Sequence, residues 1–113
     1  MMKTKTDFVT NSSSTAFIIC NTSDRMKSLW NFVEENPQLI EQYRKEYYDT
    51  PEYTQEKLLD SALKNNQKFK PEKSVYCVFG DEDGTLIGEV FDYILRDGGD
   101  SENFTWRFCE YLR

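Results

Sequence analysis

Apolar and polar positions along this chain switch between a helical and an extended period, and the switches mark its elements. Thr15 to Cys20 is apolar throughout and partly β-branched, which predicts a strand buried on both faces. Ser23 or Asp24 can cap a helix, and Met26, Leu29, Trp30 and Val33 then share one helical face. Asn36-Pro37 restarts the helix, with Leu39, Ile40, Tyr43 and Tyr47 facing the core and Glu41 and Lys45 paired outside. Thr50-Pro51-Glu52 is a third cap signal, followed by a stripe of Leu58, Leu59, Ala62 and Leu63. The basic residues Lys64, Lys68 and Lys70 follow that stripe, and Pro71 prevents continuation.

Val75 to Phe79 reads as a second central strand, and Gly80-Asp81-Glu82-Asp83-Gly84 as a turn. Thr85 to Glu89 could then return as a hairpin partner. The spacing of Ile87, Val90, Phe91, Ile94 and Leu95, closed by Gly98-Gly99, favours a helix over 86–97 instead. Phe104, Trp106 and Phe108 alternate with Thr105 and Arg107, predicting a last strand that reaches Tyr111. The expected architecture is one α/β (α+β) domain over 1–113, with 1–14 a polar lead-in. Its order is β-α-α-α-β-α-β, with strands at 15–20, 75–79 and 103–111. A small three-stranded sheet, mixed or antiparallel, is covered on one face by about four helices. Trp30 and Trp106 are expected in one core.

Composition supports a packed interior, since aromatic residues make up 15% of 113 residues. No apolar run approaches the ~20 residues of a membrane span, and residues 1–10 hold no apolar signal core, so a cytoplasmic protein is expected. Cys20, Cys77 and Cys109 each fall on an expected strand and read as reduced, buried, metal-free thiols. The net charge of −6 is unevenly spread. Residues 74–113 carry three bases against nine acids, which accounts for essentially all of it. That third of the chain disfavours direct nucleic-acid binding and suits a protein with a basic surface.

Catalytic chemistry finds little here. The chain has no His, which removes Ser-His and Cys-His pairs and most zinc sites. Asp81-Glu82-Asp83-Gly84 resembles a calcium loop, but that register puts Phe79 and Val90 at obligatory ligand positions and fails. Glu34-Glu35 and Asp97 with Asp100 read as solvated surface. No catalytic residue, metal or cofactor is expected. Tyr48 and Tyr53, set among Glu46, Asp49 and Glu52, suit a protein contact better than base stacking. With Asp81, Glu82, Asp83, Asp97, Asp100 and Glu102 they form the expected partner-binding set.

Thr10-Asn11-Ser12-Ser13-Ser14-Thr15 is six consecutive hydroxyl or amide side chains. Such a run can fold back on its own backbone, or present N–H groups to an anion. Thr10, Asn11, Ser12, Ser13 and Ser14 are therefore candidate phosphate- or nucleotide-binding residues. Asp7-Phe8-Val9-Thr10-Asn11-Ser12-Ser13-Ser14 followed by Phe17-Ile18 resembles an N-terminal motif of small proteins from Firmicutes and their phages and mobile elements. In those the serine run is commonly longer; here Thr15 and Ala16 replace the later serines. The resemblance implies a bacterial or phage origin and no activity. The expected function is a non-enzymatic interaction protein. Its sharpest form is a phage or mobile-element inhibitor of a host nucleic-acid-binding defence enzyme, an acidic decoy of the anti-CRISPR type. The alternative is a phosphate-binding sensor built on Thr10 to Ser14.

Overall fold

A computed structural model of the chain describes residues 14–46, 53–65, 67–80 and 85–112. Strand β1 (Ser14–Asn21) is followed by a short β2 (Lys27–Ser28) and by helices α1 (Leu29–Glu35), α2 (Gln38–Glu46) and α3 (Gln55–Asn65). A short β3 (Lys68–Phe69) leads into β4 (Ser74–Gly80). Helix α4 (Leu86–Ile94), a two-residue β5 (Gly99–Asp100) and β6 (Phe104–Leu112) complete the order.

The main sheet runs β4-β1-β6-β5, with every neighbouring pair antiparallel. The mixed α+β class and the three long strands match the sequence reading. The three-stranded sheet and the simple element order do not. A fourth strand, β5, joins the sheet, and β2 pairs with β3 in a separate two-stranded sheet. Two-residue strands are held by partners distant in sequence and carry no period of their own. Residues 86–94 are helical, so the hairpin alternative is corrected. Thr85 caps the helix by accepting a hydrogen bond from the Gly88 N–H at 3.0 Å. The helix stops at Ile94 rather than residue 97, and Gly98 turns the chain at φ 73°.

The start of α1 also differs from expectation. The cap is Ser28, in a reciprocal capping box with Asn31, not Ser23 or Asp24. Buried Asn21 explains this. Its side chain donates to the carbonyls of Arg25 and Phe69 and accepts from the Ser23 N–H and hydroxyl, so 23–25 form a tied bend. The buried face of α1 becomes Leu29, Phe32 and Val33, with Met26 exposed and Trp30 half-buried at the core margin. On α3, Leu58 and Ala62 are buried, Leu59 is half-buried and Leu63 is exposed.

Phe32 is central to the core. It meets Phe91, Phe104 and Trp106 edge-on, at ring separations of 5.6, 5.1 and 5.1 Å. Through it α1 touches both α4 and the inner face of β6. Phe17, Ile19, Cys77, Phe79, Phe104 and Trp106 form the sheet side of this core.

The expectation of three buried thiols is corrected. Cys77 is buried, Cys20 is half-buried and Cys109 is exposed. The β1–β6 register explains Cys109. Phe17 pairs with Phe108 and Ala16 with Glu110, so Cys109 is the extra residue of a bulge.

Candidate functional site

The helices build their core on one face of the main sheet. Because strand residues alternate, the other face presents Ala16, Ile18 and Cys20 from β1, Tyr76 and Val78 from β4, and Thr105, Arg107 and Glu110 from β6. The pairing sets Tyr76 beside Ile18 and Ile18 beside Arg107; Val78 lies beside Ala16, and Ala16 beside Glu110. Tyr76 and Val78 are 50% and 42% exposed, so no described helix covers them, although Ala16 beside Val78 is fully buried. Tyr76 donates its hydroxyl to the Glu110 carboxylate at 2.6 Å. That hydrogen bond, more than the small loss of hydration, pushes the phenol up to about 12. The outer positions of β1 and β4 are thus mostly apolar on a face that an antiparallel sheet normally makes polar.

The acidic residues Asp97, Asp100 and Glu102 are all exposed. They lie within the single connection from α4 through β5 to β6. Asp81, Glu82, Asp83 and Tyr48 lie outside the described residues, as do Thr10, Asn11, Ser12 and Ser13. Ser14 is the first residue of β1, where it pairs with Gly80 and Leu112. Tyr53 is half-buried. Its ring packs edge-on against Tyr43 at 5.3 Å, and its hydroxyl donates to Glu89 at 2.8 Å. Burial and that bond leave Tyr53 less available to a partner than its polar neighbours in the sequence suggest.

Two polar clusters escape sequence reasoning. At the turn into β6, the Glu35 carboxylate accepts hydrogen bonds from the Ser101 hydroxyl, the Asn103 N–H at 2.8 Å and the Asn103 amide at 2.9 Å. Burial alone raises its pKa. The bonds from Ser101 and Asn103, with help from Lys27, outweigh burial and leave it below the ordinary carboxylate value. This clasp ties the end of α1 to the acidic connection and fixes where Asp100 and Glu102 stand.

At the opposite end of β6, Asp92 of α4 is fully buried. It accepts from the Thr15 hydroxyl at 2.5 Å and from Arg96 Nη2 at 3.2 Å. Arg96 also bonds the Asp92 carbonyl at 2.7 Å, and its guanidinium lies over the rings of Tyr93 and Tyr111 at 4.7 and 5.0 Å. Thr15, the last member of the polar run, therefore anchors β1 to α4. Only the i, i+4 spacing of Asp92 and Arg96 hinted at this arrangement.

A concavity of about 680 Å³ runs along α2, lined by Gln38, Glu41, Gln42, Arg44 and Lys45. Its charges are of both signs, and it gathers no reactive pair. Among the described residues no group of three or more Cys, Asp or Glu side chains is placed to hold a metal ion, and no helix is long and apolar enough to cross a membrane. No protein-family model, curated protein or solved structure matches the chain.

Proposed function

We propose that this chain is a non-catalytic interaction module that binds a protein with a basic surface. The observation that carries this reading is the apolar outer face. On that face Tyr76 and Val78 of β4 stand exposed and Ile18 and Cys20 of β1 are half-buried, with Ala16 fully buried beside Val78. A partner supplies the missing cover. Asp97, Asp100 and Glu102 stand exposed on one connection and give the approaching partner a direction. The overall charge of −6 adds long-range attraction to a cationic surface. In its most specific form the module is an inhibitor from a phage or mobile element that occupies the basic channel of a nucleic-acid-binding defence enzyme.

The test pairs two variants with an affinity capture. Wild type is compared with the triple charge reversal Asp97→Lys/Asp100→Lys/Glu102→Lys and with Tyr76→Ser/Val78→Ser. A partner held by wild type and lost by both variants is expected. Once reconstituted, the complex should associate more slowly as salt rises, because the Debye length contracts from about 10 Å at 0.1 M to about 3 Å at 1 M. A partner that both variants retain, or an association rate indifferent to salt, overturns the reading.

A further inference from the structure

The two edges of the main sheet are built differently. The β5 edge is two residues long, contains Gly99 and carries Asp100, which are ordinary protections against edge pairing. The β4 edge has none of these. It is seven residues, Ser74 to Gly80, with no charge, no proline and no bulge in its pairing with β1. Among the described residues β1 is its sole strand neighbour, so its far side presents a row of backbone N–H and C=O groups with no strand opposite.

We propose that this edge pairs with β4 of a second copy of the chain, antiparallel about a two-fold axis at Cys77. The strand's own sequence selects that arrangement. Centred on Cys77, Val75 of each copy stands opposite Phe79 of the other on the core-facing side. Tyr76 stands opposite Val78 on the outer side. All four pairs are aromatic with β-branched, a favourable cross-strand combination. A slip of two residues either way sets Ser74 opposite Val78, or Gly80 opposite Tyr76, and loses them. Slips of one residue put inner against outer faces and are forbidden by the pleat.

The axis stands perpendicular to the sheet, so both helical layers fall on one side and two outer faces join into one. The eight-stranded sheet sets Tyr76 and Val78 of the two copies in neighbouring strands at its centre. The dimer and the partner proposed above share Tyr76 and Val78, but only the dimer engages the β4 backbone, so amide exchange in β4 separates the failure of one from the failure of the other.

Sedimentation velocity across a concentration series, combined with amide exchange in β4, tests it. Wild type should sediment as a dimer with slow exchange throughout β4. Val78→Lys places a charge on the exposed side of the strand and should weaken the dimer by roughly tenfold or more while leaving the melting of the monomer intact. Half of the β4 amides should then exchange fast. The double variant Tyr76→Glu/Val78→Lys sets opposite charges across the axis and should restore the dimer, which also guards against a folding defect in the single variant. A wild type that stays monomeric at the highest concentration reached overturns the proposal, whether its β4 amides are fast or protected by the chain itself. A dimer that survives Val78→Lys with fast β4 exchange places the contact on another face and overturns it equally.

Discussion

Trp106 stands where a side chain on Gly99 would have to go. The two residues are partners in the β5–β6 register, and a Cβ on Gly99 would meet Trp106 Cζ2 at 2.6 Å and Cε2 at 3.0 Å. The indole is therefore packed between the backbone of β5 and the ring of Phe32. It cannot retreat, because Phe32 is itself held by Phe91 and Phe104. Gly99→Ala should destabilise the fold by about 1–3 kcal/mol, the usual cost of overpacking a filled site, measured by urea unfolding. An unchanged midpoint would show that the indole moves freely.

The two tryptophans should separate in their effect. Trp106 is buried against Phe32, whereas Trp30 packs on the margin of the same core. Trp106→Ala should cost roughly 3–5 kcal/mol and leave little folded protein in a marginal domain. Trp30→Ala should cost clearly less. Equal losses would put Trp30 deeper than its half-buried position.

The three thiols should react in order of burial. Cys109 sits exposed on the bulge, Cys20 is half-buried, and Cys77 is buried with its pKa pushed up to about 12 by loss of hydration. Titration of the native protein with a disulfide reagent near neutral pH should show Cys109 first and Cys20 more slowly. Cys77 should react only on unfolding, and a fast Cys77 would show that the β4 edge opens.

Glu35 should make the fold sensitive to acid. Its folded pKa lies below the ordinary value of 4.5, so the folded state favours the carboxylate more than the unfolded chain does. The contribution is fully present above that ordinary value. It disappears as pH falls through the lowered folded value. Glu35→Gln should therefore destabilise at neutral pH and flatten the stability profile below pH 4.5. A wild-type profile identical to the variant's would remove the clasp.

Asp92 and Arg96 should be strongly coupled. Arg96→Ala removes one cation from the fully buried Asp92 carboxylate and should cost about 3–5 kcal/mol. Thr15→Val removes one hydrogen bond to that carboxylate and should cost about 1–3 kcal/mol. In a double-mutant cycle the two losses should fall short of additive, because both act on one charge. Simple additivity would mean that Thr15 and Arg96 act independently.

Local pattern determined much of this protein. The runs at Thr15 to Cys20 and Val75 to Phe79, and the alternation Phe104-Trp106-Phe108, became β1, β4 and β6, because apolar period is a property of neighbouring residues. The stripe Ile87, Val90, Phe91 and Ile94 became α4 for the same reason. The concentration of acid in residues 74–113 was legible by counting, and three of those acids do stand exposed on one connection. What only the tertiary structure decided depends on partners far apart in the chain. Asn21 reaches Phe69 and moves the cap of α1 to Ser28. Glu35 meets Ser101 and Asn103, and Thr15 meets Asp92, across separations that no short window spans. The bulge that exposes Cys109 arises from the β1–β6 register. The exposure of Tyr76 and Val78 on the outer face is likewise a fact of layering: alternation identifies two faces of a strand, but only packing decides which of them the described helices cover.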